Sequence, residues 1–120
     1  MGYQSVDLKE RCKQFAIAII RLYRMLPRTE EARIIGRQML RSATSVAANY
    51  RAACRARSKA EFVAKIGIVV EEADESVFWL ELIGDTSILS GQVLQSCTKE
   101  AHELLAIFAA SQRTARSHTS

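Results

Sequence analysis

The sequence predicts an all-α fold, an antiparallel up-down-up-down bundle of four helices. Two observations lead to this prediction. The 120 residues contain one proline and five glycines, so few positions interrupt a long helix. Apolar residues recur at helical spacing along four segments, and the breaks between these segments are short. Because helices joined by short loops pack as antiparallel neighbours, four such segments form a bundle.

The first helix is predicted from residue 5 or 6 to Met25. Pro27 ends it, because the residue before a proline is driven out of the α region. One apolar stripe runs along the whole segment. Its members are Leu8, Cys12, Phe15, Ile19 and Leu22.

The second helix is predicted to begin after Thr29, a favourable N-cap that is followed by two acids in the first turn. It is expected to end at Cys54 or Ala56. The residues that face the core recur at helical spacing. They are Ile35, Met39, Ala43, Val46, Tyr50 and Ala53.

The third helix is predicted to start at a capping box formed by Ser58 and Glu61, and to end at Ile83 with Gly84 as its stop. Its main apolar face consists of Phe62, Ile66, Val69, Ala73, Val77 and Leu80. Three further large apolar residues lie off that face. Exposed apolar groups of this size usually mark an interface, so we expect these residues to form an oligomer interface: Phe78, Trp79 and Leu82.

The fourth helix is predicted from about Gly91 to Arg113, with one apolar stripe. Its members are Val93, Cys97, Ala101, Leu104 and Phe108. We expect residues 1–115 to form a single domain, and residues 116–120 to be a frayed polar tail.

Charge is segregated along the chain, whose net charge is +4. Residues 28–65 carry nine basic and three acidic groups, and residues 66–90 carry six acidic and no basic groups. Five arginines of the second helix lie within roughly 80° of one another on a helical wheel. We call them the arginine ridge: Arg33, Arg37, Arg41, Arg51 and Arg55. Arg57 and Lys59 extend its charge into the following loop.

Two interpretations of the arginine ridge stay open. Arginine forms planar multi-donor contacts with phosphate, so the ridge could bind the backbone of RNA or DNA. It could instead pair with acids of a neighbouring helix or subunit. The middle of the third helix supplies such acids at Glu71, Glu72, Asp74 and Glu75.

The sequence contains no motif of known catalytic or metal chemistry. Neither histidine follows a glutamate at the E-x-x-H spacing of di-iron bundles, and no phosphate-binding loop or nucleophile elbow is found. Three distant cysteines, Cys12, Cys54 and Cys97, indicate reduced thiols in a cytoplasmic protein. No apolar run exceeds seven residues, too few to span a membrane. We therefore predict a cytoplasmic protein that is not an enzyme and has no catalytic residue, cofactor, metal or membrane partner.

Three stretches together resemble the four-helix bundle protein family, also called the rRNA intervening-sequence protein family. They are L-P-R-T-E-E, S-x-x-S-V-x-A-N-Y-R-x-A-C-R-A-R-S and E-E-A-D-E-S-x-F-W-L-E-L. The resemblance implies an all-α bundle that assembles as a homopentamer. It also implies a distant likeness to the accessory variability protein of retroelements, which binds a reverse transcriptase and nucleic acid through basic surface. In this sequence the candidate basic contacts are Arg33, Arg37, Arg41, Arg51, Arg55, Arg57 and Lys59.

The sequence thus supports two hypotheses of function. The first is a homo-oligomeric protein whose arginine ridge contacts the phosphates of RNA or DNA. The second is a structural or protein-interaction scaffold, including a reverse-transcriptase accessory role, in which the ridge forms salt bridges with a subunit or partner.

Overall fold

The computed structural model describes the backbone of residues 2–117 and the side chains of residues 8–117. Within that range the chain forms α1 (Gly2–Met25), α2 (Glu30–Cys54), α3 (Lys59–Asp85) and α4 (Gln92–Ser117). Each helix packs against the next, and α4 packs back against α1. The product is an elongated bundle of 48 × 23 × 19 Å. The predicted four-helix architecture is confirmed.

The starts of α2 and α3 are capped as the sequence predicts. The Thr29 hydroxyl accepts a hydrogen bond from the Ala32 amide at 3.3 Å, and the Ser58 hydroxyl accepts one from the Glu61 amide at 3.1 Å. The Glu61 carboxylate accepts a long bond of 3.5 Å from the Arg57 amide, one residue before the cap. Each cap satisfies one of the backbone donors that a helix start leaves unpaired.

The prediction that Gly84 stops α3 is wrong, since the helix continues through Gly84 to Asp85. The chain turns at Ser87, which adopts the left-handed conformation with φ of 61°. The Ser87 amide bonds to the Gly84 carbonyl, and the Ile88 amide bonds to the Ile83 carbonyl at 3.0 Å. This is the Schellman pattern, with serine where glycine is usual. Gly84 instead lets the Leu94 side chain of α4 pack closely against α3, because a Cβ at Gly84 would lie 3.2 Å from that side chain.

Helix α4 also ends later than predicted, at Ser117 instead of Arg113. Polar residues continue its last turn, where Arg116 lies near the negative end of the helix dipole. Of the predicted frayed tail at residues 116–120, the first two residues are helical. The last three lie outside the described residues.

The core contains most of the predicted apolar stripes. Four members differ: Leu8, Ile35 and Phe62 are half-buried and pack against the core, and Val93 is exposed. Leu94 takes the inward position at the start of α4, which places it one turn before Cys97. Tyr50 and Phe108 meet across the bundle with ring centroids 5.0 Å apart. This contact joins α2 and α4, the two helices that are diagonal in the bundle.

Helices α2 and α3 share the most extensive interface of the bundle. Two serines, Ser42 and Ser76, are fully buried in it, and their hydroxyl oxygens lie 3.1 Å apart. Ser76 is also 2.9 Å from the Glu72 carbonyl, and Ser42 is 3.2 Å from the Met39 carbonyl. Because each hydroxyl has one proton, one serine donates to the other, which donates to a carbonyl of its own helix. Small side chains at this position let the two helices approach closely without leaving a buried polar group unsatisfied.

The seam between α1 and α4 is the least extensive of the four. Arg11 closes it with bonds of 2.7 and 2.8 Å to Glu100 and of 2.7 Å to Glu103. Hydrogen bonding to Glu100 raises the pKa of Arg11, so the guanidinium stays charged. A bidentate pair of this geometry also fixes the register of the two helices.

Replacing Ser87 with glycine should stabilise the protein. Glycine adopts the left-handed conformation without the steric penalty of a Cβ, so Ser87→Gly should raise the free energy of unfolding by about 0.5–1 kcal/mol. Urea denaturation followed by circular dichroism measures the change. Ser90→Gly is the matched control, because Ser90 is an exposed residue of the same loop without a positive φ. Equal effects of the two substitutions would contradict the assignment of strain to Ser87.

Candidate nucleic-acid interface

The arginine ridge lies on the solvent side of α2, as the wheel indicates. Arg33, Arg37, Arg41 and Arg51 belong to the helix and are exposed. Arg55 is also exposed and is the C-cap residue of α2, because the helix ends at Cys54. Arg57 lies exposed in the loop and Lys59 exposed at the first position of α3. The basic surface thus continues from α2 around the corner to α3.

Arg41 is the member of the ridge that pairs with acids of the neighbouring helix. Its Nη1 atom bonds to the two Glu72 carboxylate oxygens at 3.1 and 3.2 Å, and its Nη2 atom bonds to Glu75. Partial burial lowers the pKa of Arg41, but the bonds and charges of the two glutamates outweigh this effect and raise it. Arg41 is therefore engaged in holding α2 against α3. Of the two interpretations of the ridge, pairing with acids of a neighbouring helix is found at Arg41.

The remaining arginines form two groups on either side of Arg41. Arg33 and Arg37 lie near the start of α2, and about 21 Å of helix separates Arg37 from Arg51. Thr44 and Ala48, which have short side chains, occupy the same face between them. Among the described residues, none of the following arginine side chains forms an ion pair: Arg33, Arg37, Arg51, Arg55 and Arg57.

The acids of α3 do not neutralise these arginines. Glu72 and Glu75 are taken by Arg41, and Glu81 bonds to His102 at 3.1 Å. Glu71, Asp74 and Asp85 are exposed and form no ion pair with any described side chain. The ridge arginines other than Arg41 therefore keep a positive charge that no described carboxylate pairs with. A surface of this kind attracts a partner of opposite charge.

The predicted oligomer residues differ in exposure. Phe78 is 53% exposed, whereas Trp79 and Leu82 are half-buried. The Phe78 and Trp79 rings meet edge to face, with centroids 4.9 Å apart. The Trp79 Nε1 atom donates to Glu75 at 3.4 Å. Because Glu75 also binds Arg41, the aromatic pair and the arginine ridge are connected through one carboxylate.

Among the described residues, the three cysteines and His102 form no pair of a nucleophile with a base. Burial raises the pKa of Cys12 to about 12 and also raises that of Cys97, so both thiols are protonated and unreactive at neutral pH. Cys54 is half-buried and not bonded to another cysteine. His102 is exposed and paired with Glu81. Within residues 8–117, no three metal-ligating side chains come together.

Two features of the interface were not evident from the sequence. The first is that Arg41 is the one ridge residue among those described that pairs with acids of α3. Arg41 and Glu72 are equally distant from the loop that joins their helices, and this register is the signal that would have paired them. The second is a pair of arginines, Arg24 and Arg28, near the start of α2. Arg24 lies in the last turn of α1 and Arg28 in the following loop, and both line the same cleft as Arg33.

These features define the class of protein: an antiparallel four-helix bundle with arginines exposed along one helix. The chain belongs to the 23S rRNA-intervening sequence protein family, whose profile matches residues 4–110. The predicted family is thereby confirmed. No curated protein matches the sequence. No helix within residues 2–117 is long and apolar enough to cross a lipid bilayer.

The bundle is also similar to a solved structure from Bacteroides thetaiotaomicron, described as a protein of unknown function from the S23 ribosomal protein family. The two sequences are 32% identical. The match has a TM-score of 0.79 and covers 87% of this chain and 96% of the other. Neither the family description nor this relative indicates an enzymatic activity.

The pairing of Arg41 can be tested with a double-mutant cycle. Substituting Arg41→Gln and Glu72→Gln singly and together should reveal a coupling on the order of 0.5–1 kcal/mol, typical of a partly exposed ion pair. The free energies of unfolding of the four proteins give this value. The matched cycle uses Arg37 and Glu72, which do not touch, and should show no coupling. Equal coupling in the two cycles would mean that Arg41 has no special contact with Glu72.

Proposed function

We propose that this protein is a non-enzymatic nucleic-acid-binding protein that contacts phosphates through the exposed basic residues of α2 and the following loop. The contact residues are Arg33, Arg37, Arg51, Arg55, Arg57 and Lys59. One observation carries the proposal: five of these arginines have no carboxylate partner among the described residues, although α3 presents acids beside them. Arg41, which pairs with those acids, serves the fold instead.

The two arginine groups lie on the same side of α2. About 21 Å of helix separates Arg37 from Arg51, so a strand that contacts both groups must extend along the helix. Between the groups, the short side chains of Thr44 and Ala48 leave room for a sugar-phosphate backbone to approach the helix. Contacts of this kind hold a strand without reading its bases, so the binding should be largely independent of sequence.

Self-association is the second part of the proposal, and exposed Phe78 supports it. A solvated phenylalanine packed on a half-buried tryptophan is a typical centre of a protein interface. We infer that Phe78, Trp79 and Leu82 join copies of this chain. Assembly would place several arginine surfaces on one particle and strengthen binding through multivalency. Five subunits, a reverse-transcriptase partner and a cytoplasmic location stay predictions of the sequence and its resemblance.

The nucleic-acid proposal predicts a defined change in salt dependence. The protein should bind single-stranded RNA and DNA at low salt. The logarithm of its affinity should fall linearly with the logarithm of the salt concentration. Substituting Arg37→Gln and Arg55→Gln together should reduce the slope by about 0.7–0.9 units for each phosphate that is no longer neutralised. Fluorescence anisotropy of labelled oligonucleotides at several salt concentrations measures the slope.

The matched control removes the same charge elsewhere. Lys99 and Arg113 are exposed residues of α4, the helix diagonal to α2, so Lys99→Gln with Arg113→Gln should leave the slope unchanged. Sedimentation velocity confirms that both variants keep the parental assembly. Parental protein that binds neither RNA nor DNA at low salt would overturn the proposal. Equal reductions of the slope by the two double substitutions would show that only net charge matters, and would also overturn the proposal.

The assembly proposal has its own test. Phe78→Asp should shift the protein toward monomer at micromolar concentration, because it buries a charge in the proposed interface. Ile34→Asp is the matched control, since Ile34 is a similarly exposed residue of α2 outside that patch. Sedimentation equilibrium distinguishes the two. A parental protein that is monomeric, or a Phe78 variant that assembles as the parent does, would contradict the assignment.

A further inference from the structure

A cleft of about 310 Å³ lies at the turn between α1 and α2. The end of α1, the connecting loop and the first turn of α2 line it. This volume is at the lower end of the range for small-molecule sites, near the size of a single nucleotide. The residues that matter for its chemistry are Tyr23, Arg24, Leu26, Pro27, Arg28 and Arg33.

Three arginines line the cleft, one from each segment. Arg24 comes from the last turn of α1, Arg28 from the loop and Arg33 from the first turn of α2. None of them forms an ion pair with a described carboxylate. The two acids of the first turn of α2, Glu30 and Glu31, are exposed and do not line the cleft. Three like charges around one concavity favour an anion of more than one charge.

The rest of the lining is apolar and is held in place by the fold. Tyr23 and Leu26 pack against α2 at Gly36, where an added Cβ would lie 2.6 Å from Leu26 and 3.1 Å from the Tyr23 ring. Glycine at this position therefore lets α1 and α2 approach with the aromatic ring between them. The Tyr23 ring and Pro27 form an apolar wall beside the arginines. A nucleobase stacks well on a surface of this kind.

We propose that the cleft binds a phosphate monoester, the terminal phosphate of a nucleic-acid strand, with the adjoining base against Tyr23. A monoester carries close to two negative charges at neutral pH, whereas an internal phosphodiester carries one. Three arginines thus favour a strand end over the middle of a strand. Arg33 belongs both to the cleft and to the arginine ridge, so a strand lying along α2 reaches the cleft with its end. This inference rests on the proposed function and adds recognition of the end.

The experiment compares oligonucleotides of one sequence that carry a 5′-phosphate, a 3′-phosphate or only hydroxyl ends. Parental protein should bind at least one phosphorylated form about tenfold more tightly than the hydroxyl form, the gain expected from one additional charge-assisted contact. Arg24→Gln with Arg28→Gln should abolish this preference while keeping the salt slope of the hydroxyl form. Arg37→Gln with Arg55→Gln should weaken all forms and keep the preference.

A strand end and a free nucleotide both present a phosphate monoester to the cleft. Competition with a free nucleoside monophosphate distinguishes these two ligands. If the strand end is the ligand, the mononucleotide should compete only weakly against the phosphorylated oligonucleotide. Equally strong competition would assign the cleft to a free nucleotide and overturn the strand-end proposal. Equal affinity of parental protein for all three oligonucleotides, or a preference that survives Arg24→Gln with Arg28→Gln, would overturn it as well.

The outcomes also distinguish this inference from the proposed function. Salt-dependent binding without any preference for phosphorylated ends would agree with the proposed function and contradict the strand-end proposal for the cleft. Absence of all oligonucleotide binding would contradict both. Circular dichroism of each variant verifies that exposed Arg24 and Arg28 can be replaced without loss of the helical fold.

Discussion

Two buried serines, Ser42 and Ser76, allow α2 and α3 to pack against each other over the largest interface of the bundle. Directly beside them, Arg41 reaches across to Glu72 and Glu75. A wider separation of the helices would break the contact between the two hydroxyls. Together with the buried apolar stripe of α2, these contacts set which side of α2 faces solvent.

This arrangement separates Arg41 from the other arginines of α2. Glu72 and Glu75 of α3 pair with Arg41, and Glu75 also accepts a hydrogen bond from Trp79. The other ridge arginines form no ion pair with a described carboxylate. A bundle needs none of these charges for its core, whose stability comes from apolar burial. Exposed arginines on one helix are therefore free to serve a polyanionic partner.

The sequence was sufficient for the fold because its signals act locally. The Thr29 and Ser58 caps, the apolar stripes and the short loops each depend on neighbouring residues, and both caps and the first two loops lie where they were predicted. The end of α3 was not predictable in the same way. Gly84 is typical of a helix stop, yet here it lies inside the helix in tight contact with Leu94, and Ser87 adopts the left-handed conformation at the turn.

The candidate site was only partly predictable, because it depends on tertiary register. A helical wheel places Arg41 with the other ridge residues and cannot show that it alone reaches Glu72. The cleft was missed for a similar reason. Arg24, Arg28 and Arg33 come from three different segments, and only the turn at Pro27 and the close packing at Gly36 bring them together.

The central claim is that Arg41 holds the fold while the other arginines of α2 are available to a polyanion. Nuclear magnetic resonance of arginine Nε–H groups, recorded while a short oligonucleotide is added, tests it most directly. The account predicts that the signals of Arg33, Arg37, Arg51, Arg55 and Arg57 shift, whereas those of Arg41 and Arg11 stay in place. Arg41 shifting together with the others, or none of the α2 signals moving, would contradict it.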